Sequence, residues 1–258
     1  MTGPTYELRG KAELNGRTLP YKFERSHAGP SDQTVSIECP DESVRGWLEW
    51  KRHKTGDDWT IVPMTAAGGT LSAKLPHQPP AGKLEYRVRL SGREGTILIP
   101  SDRSVVIRFR GDVPGWILVP HIIVMFAAML FSTRAGLEYF TKVPRLKGLT
   151  WWTIGFLFVG GIILGPLVQK YAFDAYWTGW PFGTDLTDNK TFVALLAWVM
   201  AGVALLRSRK PQAWALGAAI VLLLVYLIPH SLLGSELDYK QMERGSPGAP
   251  ASSPAVLP

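Results

Sequence analysis

A single cysteine, Cys39, stands among 258 residues, so neither an intrachain disulfide nor a paired-cysteine redox or zinc motif can form. It alternates with Val35 and Ile37, the pattern of a strand that buries a free thiol. No CxxCH run is present, which excludes a covalently attached c-type haem. A glycine-rich phosphate loop is also missing, as is any nucleophilic Ser or Cys motif with a partner, so no stand-alone enzyme is indicated. In the second half, charged residues fall between the apolar stretches rather than inside them. That leaves no acid or base mid-membrane for ion pumping or proton-coupled transport. The formal net charge of +7 is spread along the chain, and in the apolar half the basic residues sit in loops. They are read as orientation signals and not as a nucleic-acid footprint.

The polar half, residues 1–112, carries short alternating runs at nearly regular spacing. Tyr6 to Leu14 and Thr18 to Glu24 flank Asn15-Gly16, a strong hairpin signal. Further runs are Thr34 to Cys39, Trp47 to Arg52, Trp59 to Met64, Thr70 to Leu75, Leu84 to Leu90, Thr96 to Ile99 and Val105 to Arg110. Tyr86, Val88 and Leu90 alternate with Arg87 and Arg89, which gives one apolar and one charged face. The expected fold is an all-β two-sheet sandwich. His27, His53 and His77 fall in or beside turns without metal-ligand spacing and read as surface residues. The stretch from Leu75 to Val88, with Pro76, Pro79, Pro80, Gly82 and Tyr86, resembles the late-strand region of fibronectin type III and immunoglobulin-like domains. The resemblance implies a fold only, with Tyr86 in the place of the tyrosine-corner residue.

Residues 113–235 read as an all-α bundle of four transmembrane helices, at about 20 residues per crossing. The expected spans are Val113 to Phe131, Leu149 to Val168, Thr191 to Leu206 and Ala213 to Leu233. The third is short unless it begins near Asp188; Asp185 and Asp188 are cap candidates there. Gly161 and Gly165 allow close helix approach, and Pro166 is expected to bend the second span. The loop from Tyr171 to Thr191 concentrates aromatic residues. Trp177, Trp180 and Phe182 are candidates for a headgroup belt, a lid or a partner-docking face. Residues 236–258 end in a Gly-, Ser-, Pro- and Ala-rich run and are expected to be a disordered tail.

Two spans carry the same phrase, Leu118-Val119-Pro120-His121 and Leu227-Ile228-Pro229-His230. At 1.5 Å per residue, His121 lies about 9 Å into the first helix and His230 about 26 Å from the start of the fourth, which runs the other way. Both imidazoles then fall at similar depth near the outer face. Three roles are open to them: axial ligands of one haem b, two ligands of another metal such as copper, or structural hydrogen bonding. Two functions follow. One is a membrane subunit of a respiratory- or photosynthetic-type electron-transfer complex with haem b between His121 and His230. The other is a non-enzymatic accessory or scaffold subunit whose sandwich and aromatic loop bind another subunit.

Loop charge orients the chain. Arg134, Lys142, Arg145 and Lys147 outnumber Glu138 in the first loop, and Arg207, Arg209 and Lys210 face no acid in the third. The positive-inside rule places both loops in the cytoplasm, with the sandwich, the aromatic loop and the tail outside an inner membrane. The N-terminus shows no basic-then-apolar leader, so the start is truncated or mature, or the first span exports the domain ahead of it. A cysteine at position 208 in place of Ser208 should label only from the cytoplasmic side, and one replacing Thr184 only from outside. The opposite pattern would reverse the topology.

Overall fold

The protein's structure, a computed structural model, describes residues 5–228 together with Glu236, Leu237, Tyr239, Met242 and Glu243. Strands β1 (Leu8–Leu14) and β2 (Arg17–Phe23) form the hairpin expected around Asn15-Gly16. Both turn residues take positive φ, 51° and 65°, the conformation a two-residue primed turn requires. After the short strand β3 (Ser26–Ala28), the chain alternates between two sheets. One joins β4 (Gln33–Glu38), β8 (Thr70–Leu75) and β7 (Thr65–Ala67). The other runs β3, β11 (Val105–Arg110), β9 (Lys83–Gly92), β5 (Arg45–Arg52), β6 (Thr60–Pro63), with β10 (Gly95–Ile99) also on β9.

Alternation along β9 fills the space between the sheets: Leu84, Tyr86, Val88 and Leu90 are all buried, with Leu48, Ile107 and Phe109 from its neighbours. Cys39 is buried among them, as the alternation predicts. Tyr86 departs from the expected tyrosine corner. That motif bonds a few residues upstream, whereas the Tyr86 hydroxyl donates to the Glu24 carbonyl at 2.8 Å, tying the N-terminal hairpin to the core strand. His53 is not a plain surface residue either; its Nδ1 lies 2.8 Å from Glu85 Oε1.

The helical half comprises α1 (Gly115–Leu137), α2 (Leu146–Leu157), α3 (Gly165–Phe173), α4 (Leu186–Arg207) and α5 (Pro211–Leu227). A π-helical turn, Phe158–Leu164, joins α2 to α3, so the second span is one interrupted helix from Leu146 to Phe173. Among the described residues, three helical stretches, Gly115–Phe140, Leu146–Phe173 and Leu186–Arg207, are long and apolar enough to cross a membrane. Side-chain size sorts by face. Val119, Ile123, Phe126 and Leu130 of α1 point outward, while Ala128, Ser132, Ala135 and Gly136 are buried. A methyl on Gly136 would stand 2.7 Å from the Ala219 side chain, so α1 and α5 touch nearly backbone to backbone. Small residues inside and large apolar ones outside suit helices packed in lipid, where burial from water cannot drive association.

Two spans differ from expectation. Helix α4 begins at Leu186, with Asp185 as its N-cap accepting from the Thr187 N–H at 2.7 Å; the polar first turn hides the helix from a hydropathy reading. Helix α5 ends at Leu227 and not at Leu233. Ile228 is extended (φ −80°, ψ 117°), as a residue before proline favours. His230 lies outside the described residues, so its expected depth on a continuous helix is not carried forward.

Five residues expected in the disordered tail contact the sandwich or stand beside it. Glu236 bridges Lys54 and Lys83 at 2.7 and 2.6 Å, the Leu237 N–H donates to the Ala81 carbonyl, and Tyr239 is buried with its hydroxyl accepting from the Lys83 N–H. Glu243 pairs with Arg52 at 2.6 Å, and Met242 is exposed next to it. Composition favoured disorder because the Gly-, Ser- and Pro-rich run begins only at Gly245, beyond this clasp. Burial alone would raise the Glu236 pKa, but the ammonium groups of Lys54 and Lys83 outweigh it and hold the carboxyl at about 2. A depressed folded pKa gives stability that is complete above the ordinary carboxyl range and lost as pH falls toward the folded value. The melting temperature of Glu236→Gln should therefore fall below that of the wild type at pH 7. The gap should close between pH 4.5 and about 2. A gap independent of pH would show that the carboxylate's charge does not hold the clasp.

Candidate binding site at the junction of sandwich and bundle

Polar side chains gather where the sandwich meets the helices. Strand β11 ends one turn short of the bundle, and the Gly111 N–H donates to the Ala172 carbonyl at 2.9 Å. Any Cβ on Gly111 would fall about 2.1 Å from the Tyr171 carbonyl oxygen, so only glycine allows this approach. Three residues earlier, the Arg108 guanidinium stacks on Phe173, 3.9 Å from the ring centroid. Burial depresses the Arg108 pKa, and the nearby carboxylates of Asp185 and Glu236 oppose that shift.

Beneath Arg108 lies a cavity of about 190 Å³. Its walls come from α1 (His121, Met125), the interrupted second span (Gly161, Gly165, Val168, Gln169, Ala172, Phe173) and the start of α4 (Thr187, Asp188, Thr191), with Asp185 at the edge. A larger groove of about 550 Å³ lies between β2 and β4 on the sandwich. Residues of β1, β2 and β4 line that groove together with the buried side chains of Phe23, Val35, Ile37 and Tyr86; the smaller cavity adds an imidazole to its arginine, glutamine and carboxylates, which marks it as the chemical site.

His121 lies where the sequence predicts, half-buried on α1, and its Nδ1 bonds the Gly160 carbonyl at 3.0 Å. A carbonyl only accepts, so Nδ1 carries the proton and the neutral ring presents Nε2 as an acceptor. Gly160 sits in the π-turn, which re-aims its carbonyl, and a methyl on it would meet Met125 Sδ at 2.7 Å. Gly161 likewise faces Thr191 with no room for a Cβ, a close helix approach, whereas a Cβ on Gly165 would meet only ordinary contacts. The partner expected across the bundle, His230, lies outside the described residues, so the His121–His230 pairing is not tested. Among the described residues no group of three or more His, Cys, Asp or Glu side chains is arranged to hold a metal ion.

Asp188 does far more than cap a helix. Its Oδ2 accepts from the Thr178 and Gly179 N–H groups at 2.6 and 3.0 Å and from Gln169 Nε2 at 3.2 Å. Asn189 takes the next donor, the Trp180 N–H, at 2.6 Å. These bonds fasten the aromatic loop onto the first turn of α4. The loop's candidate residues then divide. Trp177 is half-buried and donates from its indole to the Trp180 carbonyl at 3.1 Å, whereas Trp180 is 66% and Phe182 84% exposed. Lys190, buried in the first turns of α4, donates to the Ile228 carbonyl at 2.7 Å and closes the broken end of α5. Lys190 is the fifth residue of α4, about one helical turn from its start, whereas hydropathy leaves it in the loop that ends at Thr191. Sequence reasoning missed Arg108, Gln169 and Lys190, since none sits in a motif; the cluster Thr184 to Lys190 ahead of an apolar run was the one available signal.

An apolar cavity of about 150 Å³ holds one benzene ring, and sites for larger organic ligands begin at roughly 300 Å³. At about 190 Å³ the cavity beside His121 has the size of a single six-membered ring; the haem expected between His121 and His230 would extend to a residue outside the described ones, and this volume does not test it.

No family model matches the chain, and no curated protein matches it. Among solved structures, the crystal structure of the FN1-FN3 domains of chicken CNTN1 is similar at 17% identity and a TM-score of 0.24, covering 42% of this chain and 44% of that one. The chain thus spans less than half the length of that structure, and the sandwich assignment rests on the strand pairing itself.

Replacing Asp188 with Ala removes the acceptor of two backbone N–H groups, one of them buried, and should cost about 3 kcal/mol. In detergent the melting temperature should fall and residues 174–185 should become protease-sensitive. An unchanged melt with a protected loop would mean that the loop holds itself.

Proposed function

We propose that the chain is a non-enzymatic accessory or scaffold subunit of an inner-membrane complex, with the sandwich and aromatic loop outside the membrane and binding a neighbouring subunit. The observation that carries this reading is the contrast within the loop: Trp180 and Phe182 are exposed while the backbone under them is fixed by Asp188 and Asn189. Exposed aromatic side chains on a preorganised backbone lose little entropy on binding, which is how interface anchors work. Lipid headgroups would also accept these rings. The partner reading makes the sharper prediction. In mild detergent, wild-type chain should retain a stoichiometric membrane partner. Trp180→Ala with Phe182→Ala should lose it while keeping the wild-type melt. Retention by the double variant would assign the rings to lipid.

The electron-transfer reading, with one haem b between His121 and His230, draws on the Nδ1–H bond to Gly160, which orients the ring and frees Nε2 for a metal. An optical spectrum of protein from haem-replete cells decides: no Soret band is expected. A band lost in both His121→Ala and His230→Ala would restore that reading.

A further inference from the structure

The cavity under Arg108 serves no purpose in a pure scaffold, and its shape selects a class of ligand. Met125, Val168, Ala172 and Phe173 make most of its wall apolar, and Gly165 leaves space open where a side chain would fill it. At about 190 Å³ it takes one substituted six-membered ring. Most of the polar groups around it bond one another: Gln169 donates to Thr178 and Asp188, and Thr191 donates to the Thr187 carbonyl. His121 differs, because among the described residues its ring makes one hydrogen bond, through Nδ1 to Gly160. Its Nε2 is an acceptor, available to a hydroxyl donor on a molecule in the cavity.

Charge narrows the class further. The carboxylates of Asp185 and Asp188 border the space and disfavour an anion such as a phosphate headgroup. Arg108, stacked on Phe173, disfavours a cation. What fits is a neutral ring bearing a hydroxyl, delivered by an apolar tail, since the walls are the ends of helices with lipid-suited exteriors. We infer that this cavity binds the headgroup of a hydroquinone-type lipid, with a ring hydroxyl donating to His121 Nε2. The inference stands apart from the scaffold reading: the rings at Trp180 and Phe182 serve a protein partner, and the cavity serves a small molecule.

The test uses the full chain in detergent under anaerobic conditions, with a decyl-tailed benzoquinol as probe and its dimethyl ether as the control lacking hydroxyls. Titration calorimetry should show saturable quinol binding to the wild type. The ether should bind at least roughly tenfold more weakly, the loss of one buried hydrogen bond. His121→Phe should lose a similar factor for the quinol and nothing for the ether, and His121→Gln, which keeps an acceptor oxygen, should recover part of it. Gly165→Leu should abolish both by filling the space; its Cβ position has only ordinary contacts, so the fold should tolerate the change. Equal binding of quinol and ether to the wild type, no saturable binding, or a co-purified phospholipid that the quinol does not displace would each overturn the assignment. None of these results bears on whether the Trp180 and Phe182 variant loses its protein partner.

Discussion

A backbone N–H or C=O that loses its helical partner inside an apolar bundle must find another, because no water is at hand to take its place. At the sandwich end of this bundle the helices break repeatedly, and a side chain meets each break. In the π-turn the Gly160 carbonyl accepts from the Gly165 N–H and takes His121 Nδ1–H as a second donor. The loop after Phe173 turns Thr178 and Gly179 inward, and the Asp188 carboxylate receives their N–H groups. Helix α5 stops before Pro229, and Lys190 reaches the Ile228 carbonyl. Leaving such a group bare costs about 1–3 kcal/mol, more than most single contacts contribute, so the bundle's polar residues are fixed by its irregular backbone.

That constraint also separates structure from chemistry. Asp188 and Lys190 look like intramembrane functional residues, yet their bonds are accounted for by backbone groups of the same end. His121 fills a break with one nitrogen and has a second left over. The same holds for the loop: its backbone is consumed by Asp188 and Asn189, and the Trp180 and Phe182 rings remain. Function is sought in what the closed backbone does not use.

How far the sequence reveals all this depends on the range of the forces involved. The strands follow from alternation because burial on one face of a sheet acts residue by residue, as β9 shows from Leu84 to Leu90. Strand β3 was invisible: three residues pairing in parallel with β11 carry no period of their own. The first turn of α4 was partly hidden by its polar composition, although Asp185 as a cap was legible. His121 could be picked out as an imidazole in an apolar run, but its partner is a backbone carbonyl, which no residue type announces. Arg108 reads as the solvated face of a strand; only the fold brings it over Phe173. Tail composition misled because Glu236, Leu237 and Tyr239 act through Lys54, Ala81 and Lys83, residues more than a hundred and fifty positions away.

The sandwich is therefore part of the bundle's chemistry and not a separate module on a tether. It is held at both ends of the helical half, by Gly111 on Ala172 where the chain enters and by Glu236 and Tyr239 on the sandwich after the chain leaves. Strand β11, which supplies Arg108 as the roof of the cavity, is paired to β9 and β3 and cannot shift alone. A subunit that gripped the sandwich would move that roof with it. Because the aromatic loop is anchored through Asp188, whose carboxylate also lines the cavity, contact at Trp180 bears on the same wall from the other side. Asp188 thus belongs both to the anchorage of the loop and to the cavity wall, so its replacement should disturb both, whereas changes at Trp180, Phe182 or His121 leave its bonds intact and act on one side alone.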